Sequence, residues 1–247
     1  MNKTAIIIPS RLDALRLPNK PLELINNKEM ILHVYEAAVK SKVGDVYVAT
    51  PDQKIIDCVK NIGGNAIKTL QNHETGTDRI YEVFKTTLNS KPEVIINLQG
   101  DMPNINSKDI IYLANYLSEK KCDIATLASK FKSDNELENP NVVKVAIKEK
   151  FLEKKFVNAI DFLRTSENLT YKLYHHIGIY AFTNKALVRY VSLERSKLEL
   201  KRKLEQLRAL ENNMSIHVGY IESSPLSVDT KADLIEVKQL MEKNEKN

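Results

Sequence analysis

The stretch Val94-Ile-Ile-Asn-Leu-Gln-Gly-Asp-Met-Pro103 places an apolar five-residue run directly before a glycine, an acid and a proline. A short, nearly all-apolar run bounded by turn formers is the signature of a strand buried on both faces. Gly100 allows a sharp exit from that strand, Asp101 then stands at its carboxyl end, and Pro103 stiffens the departure. Working outward, the same strand signal recurs at Thr4–Ile8, at Asp45–Ala49 and briefly at Ala66–Lys68. Apolar residues at helical spacing fill the intervals, predicting helices over Ile31–Val39, Gln53–Asn61, Thr77–Leu88 and Lys108–Leu117, the last capped by Ser107. Strand–helix alternation of this kind predicts an α/β fold. A Rossmann-like mixed, mainly parallel sheet carries helices on both faces, and ligands gather beyond the carboxyl ends of its strands.

From about Asp123 the rhythm changes. Strands are predicted at Asp123–Ala128, Val142–Ile147 and His175–Phe182, separated by polar segments without a βαβ repeat. This reads as a smaller β-rich subdomain, at about 123–184, inserted into a single domain spanning 1–247. The α/β rhythm then returns with helices at Lys185–Val191 and Lys197–Glu211, a strand at Ser215–Ile221 and a helix at Lys231–Glu242, before a terminus, EKNEKN, expected to fray.

The 247 residues are 43% hydrophobic and 28% charged, as in ordinary globular chains. Two cysteines, Cys58 and Cys122, make neither a disulfide framework nor a metal cluster, and read as idle thiols. No apolar run approaches the ~18 residues of a membrane span, and the N-terminus lacks the apolar region of a signal peptide. A cytoplasmic chain without membrane partners is expected. The balance of 37 basic against 32 acidic residues suits anionic small molecules and argues only weakly for nucleic acid. A basic stretch, with Lys185, Arg189, Arg195, Lys197, Lys201, Arg202, Lys203 and Arg208, leaves open a non-catalytic anion- or nucleic-acid-binding module. A solvated basic face is favoured, because no nucleic-acid motif accompanies it.

Four segments carry candidate chemistry. The loop Pro9-Ser-Arg-Leu-Asp-Ala-Leu-Arg-Leu-Pro-Asn-Lys-Pro21 sets Arg11, Arg16 and Lys20 just past the first strand, where two guanidinium forks and a mobile ammonium can clamp phosphates. It has no glycine, so neither a dinucleotide fingerprint nor a Walker loop is present; a solvated basic loop is the plainer alternative. Asp101 can hold a Mg²⁺ that arrives on nucleotide phosphates. In Ser227-Val-Asp-Thr230, Asp229 is a candidate second carboxylate for the same ion, the plainer alternative being that Asp229 or Thr230 is an ordinary helix N-cap. In His73-Glu-Thr-Gly-Thr-Asp-Arg79, Thr77 can cap a helix whose amides favour an anion or a base carbonyl, or simply begin that helix.

Taken together, IIIPSRLDALRLPNKPL, NHETGTDR, INLQGDMP, NPNVVKV, HHIGIYAF, LEQLRAL and SVDTKADL make the chain similar to the 3-deoxy-manno-octulosonate (Kdo) cytidylyltransferases, or CMP-Kdo synthetases, along most of its length. The resemblance implies a nucleotidyltransferase that joins CTP to a 3-deoxy sugar acid, with Mg²⁺ as cofactor, in lipopolysaccharide biosynthesis, and a homodimer. Arg11, Arg16 and Lys20 would bind the phosphates and assist pyrophosphate departure, with Asp101 also catalytic. Thr77, Asp78, Arg79 and Gln99 would border the nucleotide. Asp101 and Asp229 would hold the metal. His176, Tyr180, Glu205 and Gln206 would face the sugar, although His176 also reads as a core residue of an alternating strand, and Glu205 and Gln206 as the exposed face of a helix whose Leu200, Leu204 and Leu207 point inward.

The sugar half departs from the family pattern. An aromatic-Phe-Ser-Arg run is replaced by Lys155-Phe-Val-Asn158, with Arg164 a few residues on, and residues 102, 202 and 227 are Met, Arg and Ser where the family often has an acid, an acid and a glycine. An amino-substituted Kdo or another 3-deoxy sugar acid therefore stays open beside Kdo.

Overall fold

The computed structural model describes residues 3–13, 16–119, 122–151, 156–166 and 171–245. They form two compact units, Met1–Tyr112 with Pro225–Asn247, and Leu113–Ser224. Among the described residues no helix is long and apolar enough to cross a membrane.

In the first unit, β1 (Thr4–Pro9), β4 (Asp45–Thr50), β5 (Ala66–Lys68) and β6 (Val94–Leu98) form parallel pairs in the order β5-β4-β1-β6. Ile6 lies between Val46 and Ile96, and Ile6, Ile7 and Ile8 have no solvent exposure, so this strand is covered on both faces. Helices α1 (Met30–Ser41), α2 (Gln53–Asn61) and α3 (Gly76–Thr86) fall where the periodicity puts them. A small hairpin, β2 (Leu24–Ile25) and β3 (Lys28–Glu29), precedes α1 and is too short to show in the pattern. Two expected caps are corrected. Helix α4 (Ser107–Ser118) already contains Ser107, and the Lys108 amide donates instead to Asn106 Oδ1 at 2.9 Å. Helix α3 is capped by Thr75, not Thr77, in a reciprocal box with Asp78.

In the second unit, β7 (Ile124–Ser129), β8 (Lys144–Ile147), β9 (Phe156–Leu163), β10 (Lys172–Thr183) and β11 (Ile216–Tyr220) pair in the order β10-β7-β11-β9-β8, and β8 also pairs with β10. Only β7–β11 is parallel. Strand β9 was not expected: its Asn158 and Asp161 interrupt the alternation, and the pairing with β8 shifts register at Ala146–Ile147. The short helix α5 (Asp134–Glu138) was also not expected; with no buried residue, it has no apolar stripe to betray it. The Phe156 ring stacks on Tyr116 at 3.6 Å and lies where a side chain on Gly219 would stand. Lys155 lies outside the described residues.

The predicted helix Lys197–Glu211 is two helices, α7 (Lys197–Arg202) and α8 (Leu207–Glu211), after α6 (Asn184–Ser192). Lys203 takes a left-handed conformation, φ 55°, between them, and Leu200 is exposed instead of inward. A left-handed lysine is strained, and Arg164 meets the turn with hydrogen bonds to the carbonyls of Arg202 (2.9 Å) and Lys203 (3.1 Å). Helix α9 (Lys231–Glu245) runs past the expected Glu242; residues 246 and 247 lie outside the described part.

Among the described residues, the buried charged groups of this unit have partners. Glu199 and Arg208 make two hydrogen bonds of 2.7 and 2.9 Å, with Arg208 also over the Tyr190 ring. Burial alone would raise the Glu199 carboxyl; hydrogen bonds from Arg208, the Ser196 amide and Arg195 more than reverse this and hold it below the usual range. Lys144 is fully buried and donates to the carbonyls of Asn139, Val142 and Arg164. His176 lies against Thr126 beside a bulge at Gly178–Ile179 in β10. Thr126 spends its one hydrogen on the Ile179 carbonyl at 2.7 Å, so at 2.9 Å it accepts from His176 Nε2.

Arg208→Met is expected to strand the buried Glu199 carboxylate and cost about 3–5 kcal/mol in urea unfolding, whereas adding Glu199→Leu should recover much of that loss. Burial, followed by the neighbouring His175, pulls the His176 pKa down to about 3 from an ordinary 6.5. As pH falls below the ordinary value, the unfolded chain gains a proton that the folded chain refuses. Stability should therefore drop by up to about 1.4 kcal/mol per pH unit from this residue. In His176→Gln, that part of the acid slope should vanish from unfolding titrations.

Candidate active site

The described residues of the segment after β1 are held through their own backbone amides. Ser10 N–H donates to the Ala49 carbonyl at 3.0 Å, Leu12 N–H donates to Asp52 Oδ2 at 2.8 Å, and Asn19 N–H donates to the Leu12 carbonyl at 3.2 Å. Leu17 anchors the loop in an apolar cluster with Ile25, Met30, Val228, Leu234 and Val237, which joins it to the segment before α9 and to α9 itself. Arg16 and Lys20 are thereby brought to the carboxyl end of β6.

Lys20 Nζ lies 3.0 Å from Asp101 Oδ2 and 3.1 Å from Asp229 Oδ1, and Arg16 Nη2 lies 3.0 Å from Asp229 Oδ2. Burial works against the Lys20 charge, but Asp101 and Asp229 outweigh it and raise its pKa above the ordinary lysine value. The Val228 amide donates to the Asp101 carbonyl at 2.9 Å, so the two acidic segments are also joined through the backbone. Asp229 is not the cap of α9: Thr230 takes that role, exchanging hydrogen bonds with Asp233. At Gly100 a Cβ would stand 3.3 Å from the Pro9 carbonyl oxygen, which is the close approach that a glycine there permits.

These groups line a cleft of about 570 Å³ together with Arg11, Ser10, His73, Gly76, Arg79 and Gln99. Of the expected nucleotide residues, Arg11, Arg16, Lys20, Arg79 and Gln99 line it, with Asp101 and Asp229. Thr77 and Asp78 do not. Asp78 is spent in the cap of α3. Thr77 is buried, and Asn97 Nδ2 donates to its hydroxyl at 3.1 Å, while Gln99 Nε2 donates to Asn97 Oδ1 at 3.0 Å. Arg79 is buried too, and its guanidinium holds the Thr69 hydroxyl and the carbonyls of Leu70 and Gln71. Glu82 binds the Leu70 amide and His73 Nε2, so α3 grips the segment 69–73 from two positions. Ser10, whose buried hydroxyl has no hydrogen-bond partner among the described residues, and Asn97 were not singled out in the sequence. Asn97 did leave a signal, as the lone polar residue of a buried strand.

The expected sugar residues all belong to the second unit. His176 and Tyr180 are buried with rings 5.4 Å apart, and Gln206 is buried. The Glu205 carbonyl accepts from the Tyr190 hydroxyl at 2.8 Å. Asn158, exposed on β9, pairs with His217. Arg202 pairs with Asp161 at 2.7 Å. Four members of the basic stretch are held internally: Arg189 on the Asn212 carbonyl, Arg195 and Arg208 on Glu199, and Arg202 on Asp161. Lys185, Arg189, Arg195, Lys197, Lys201 and Lys203 are exposed, and Arg208 is buried. Burial pushes the Cys58 thiol up to about 11 and the Cys122 thiol up to about 12, so neither is a ready nucleophile.

The chain is similar to known proteins along most of its length. The cytidylyltransferase family pattern matches residues 5–216. A 3-deoxy-manno-octulosonate cytidylyltransferase of Bartonella tribocorum is 41% identical over 96% of this chain and 97% of its own length. That of Rhodopseudomonas palustris strain BisB5 is 43% identical over 94% of both. A solved CMP:2-keto-3-deoxy-manno-octonic acid synthetase complexed with CTP is 34% identical, with a TM-score of 0.87 over 98% of this chain and 99% of that one. On that family match and those relatives, the chain belongs to the cytidylyltransferase family, in the group of the 3-deoxy-manno-octulosonate cytidylyltransferases.

Proposed function

We propose that this chain transfers CMP from CTP to 3-deoxy-manno-octulosonate, giving CMP-Kdo and pyrophosphate. The observation that carries the reading is the convergence of Asp101 and Asp229 on one cation beneath a loop that also supplies Arg11 and Arg16. The anomeric hydroxyl attacks the α-phosphorus: its O–P bond forms as the bond from the α-phosphorus to the bridging oxygen breaks, the hydroxyl proton passes to water, and pyrophosphate leaves. Arg11, Arg16 and Lys20 would neutralise the charge that builds on that leaving group.

The two carboxylates suit Mg²⁺, a hard cation that takes oxygen donors. Among the described residues no group of three or more His, Cys, Asp or Glu could hold a metal. Asp101 and Asp229 would be the side chains that hold such an ion. When bound, Mg²⁺ supplies charge neutralisation between two anionic substrates. Lys20 performs that neutralisation for the carboxylates themselves.

His176, Tyr180, Glu205 and Gln206 stand in the motifs that the family uses for the sugar. Asn158 replaces a cationic position, and Arg164 is engaged with backbone carbonyls, including that of Pro140 at 3.1 Å. That missing charge favours, as a second reading, an amino-substituted Kdo. A homodimer remains part of the proposal and is read by light scattering.

Pyrophosphate release should require CTP, Mg²⁺ and a 3-deoxy sugar acid together. A neutral hexose 1-phosphate as the best substrate would overturn the sugar assignment. In a panel of sugar acids, Asn158→Arg should improve use of Kdo by about 10-fold or more if the lost contact matters, the worth of one charge-assisted hydrogen bond. Asp101→Asn should lower turnover about 10²- to 10³-fold while far-UV circular dichroism stays unchanged; wild-type turnover at saturating Mg²⁺ would remove Asp101 from the mechanism.

A further inference from the structure

Strand β6 reads Val-Ile-Ile-Asn-Leu, and Asn97 is as fully buried as its apolar neighbours. A buried amide weakens a core unless its hydrogen bonds are met. Asn97 meets them in one direction: Nδ2 donates to Thr77 Oγ1, and Oδ1 accepts from Gln99 Nε2. Gln99 is the member of this relay that lines the cleft, and its amide lies beside Gly76.

An amide side chain has a donor end and an acceptor end of nearly equal shape, so a site that uses only one of them must be told which end to present. Resting on the reading of the cleft as a CTP site, we propose that Asn97 is a positioning residue that orients the Gln99 amide. Gln99 Oε1 then faces the cleft as an acceptor, and the protein favours a nucleobase offering an amino group over one offering a carbonyl. Thr77 completes the relay from α3: its oxygen takes the Asn97 donor and leaves Asn97 Oδ1 for Gln99. The reverse relay, with both amides turned, would present Gln99 Nε2 and reward a carbonyl.

The test is the preference for CTP over UTP, measured as kcat/KM at saturating sugar and independently as Kd by calorimetry without sugar. Wild type should prefer CTP. Asn97→Leu, similar in volume and unable to hydrogen-bond, should raise KM and Kd for CTP by about tenfold and shrink the CTP:UTP ratio by a similar factor, with a smaller change in kcat. Asn97→Asp should keep the ratio, because a carboxylate accepts from both Gln99 Nε2 and the Thr77 hydroxyl. Thr77→Val should shift the ratio in the same direction as Asn97→Leu, and decides the matter if Asn97→Leu fails to fold. A folded Asn97→Leu with an unchanged ratio would overturn the relay, and a wild type that prefers UTP would overturn its direction. A wild type that binds neither nucleotide would instead sink the CTP reading itself.

Discussion

The site depends on keeping two carboxylates close together in a partly buried place. Asp101 and Asp229 come from segments far apart in sequence, and both reach Lys20 within 3.1 Å. Two like charges a few ångströms apart repel by about 4 kcal/mol at the effective dielectric of a protein surface, so a cation between them is a condition of that geometry. The rest of the first unit can be understood as meeting it. Leu17 and Val228 share one apolar cluster beneath the loop and the acidic segment. The Val228 amide holds the Asp101 carbonyl, and Thr230 with Asp233 relieves Asp229 of capping duty.

Much of this unit was legible in the sequence because its strands are apolar on both faces and alternate with periodic helices. The strands before and after Arg11 and the position of Asp101 follow from that pattern. Capping was less legible. Thr75 and Thr77 are both plausible caps by type, and only the reciprocal bond with Asp78 selects Thr75. Arg79 reads as a cation bordering the nucleotide and does line the cleft, but its hold on the Thr69 hydroxyl and the Leu70 and Gln71 carbonyls left no signal in the sequence.

The second unit was harder to read, for a different reason. Its order rests on polar contacts between distant residues more than on periodicity. The break at Lys203 has no local signal, since lysine is a good helix former, and Arg164 reaches that turn from β9's far end. Gln206 is buried just beyond it, whereas an unbroken helix would have shown it to solvent. Glu205 and Gln206 thus follow a turn that periodicity could not foresee, whereas His176 and Tyr180 lie on a strand that alternation predicts.

The Phe156 ring, stacked on Tyr116, fills the space beside Gly219. One consequence is evolutionary. Any lineage that placed a side chain at position 219 would first have to shrink or displace the aromatic at 156, which would in turn uncover Tyr116. The three positions should therefore vary as a set, and substitutions at 219 should be found only against altered backgrounds at 156. The departure seen at Val157 and Asn158 sits directly after this locked aromatic, so the strand could change its outward chemistry there without losing its seat.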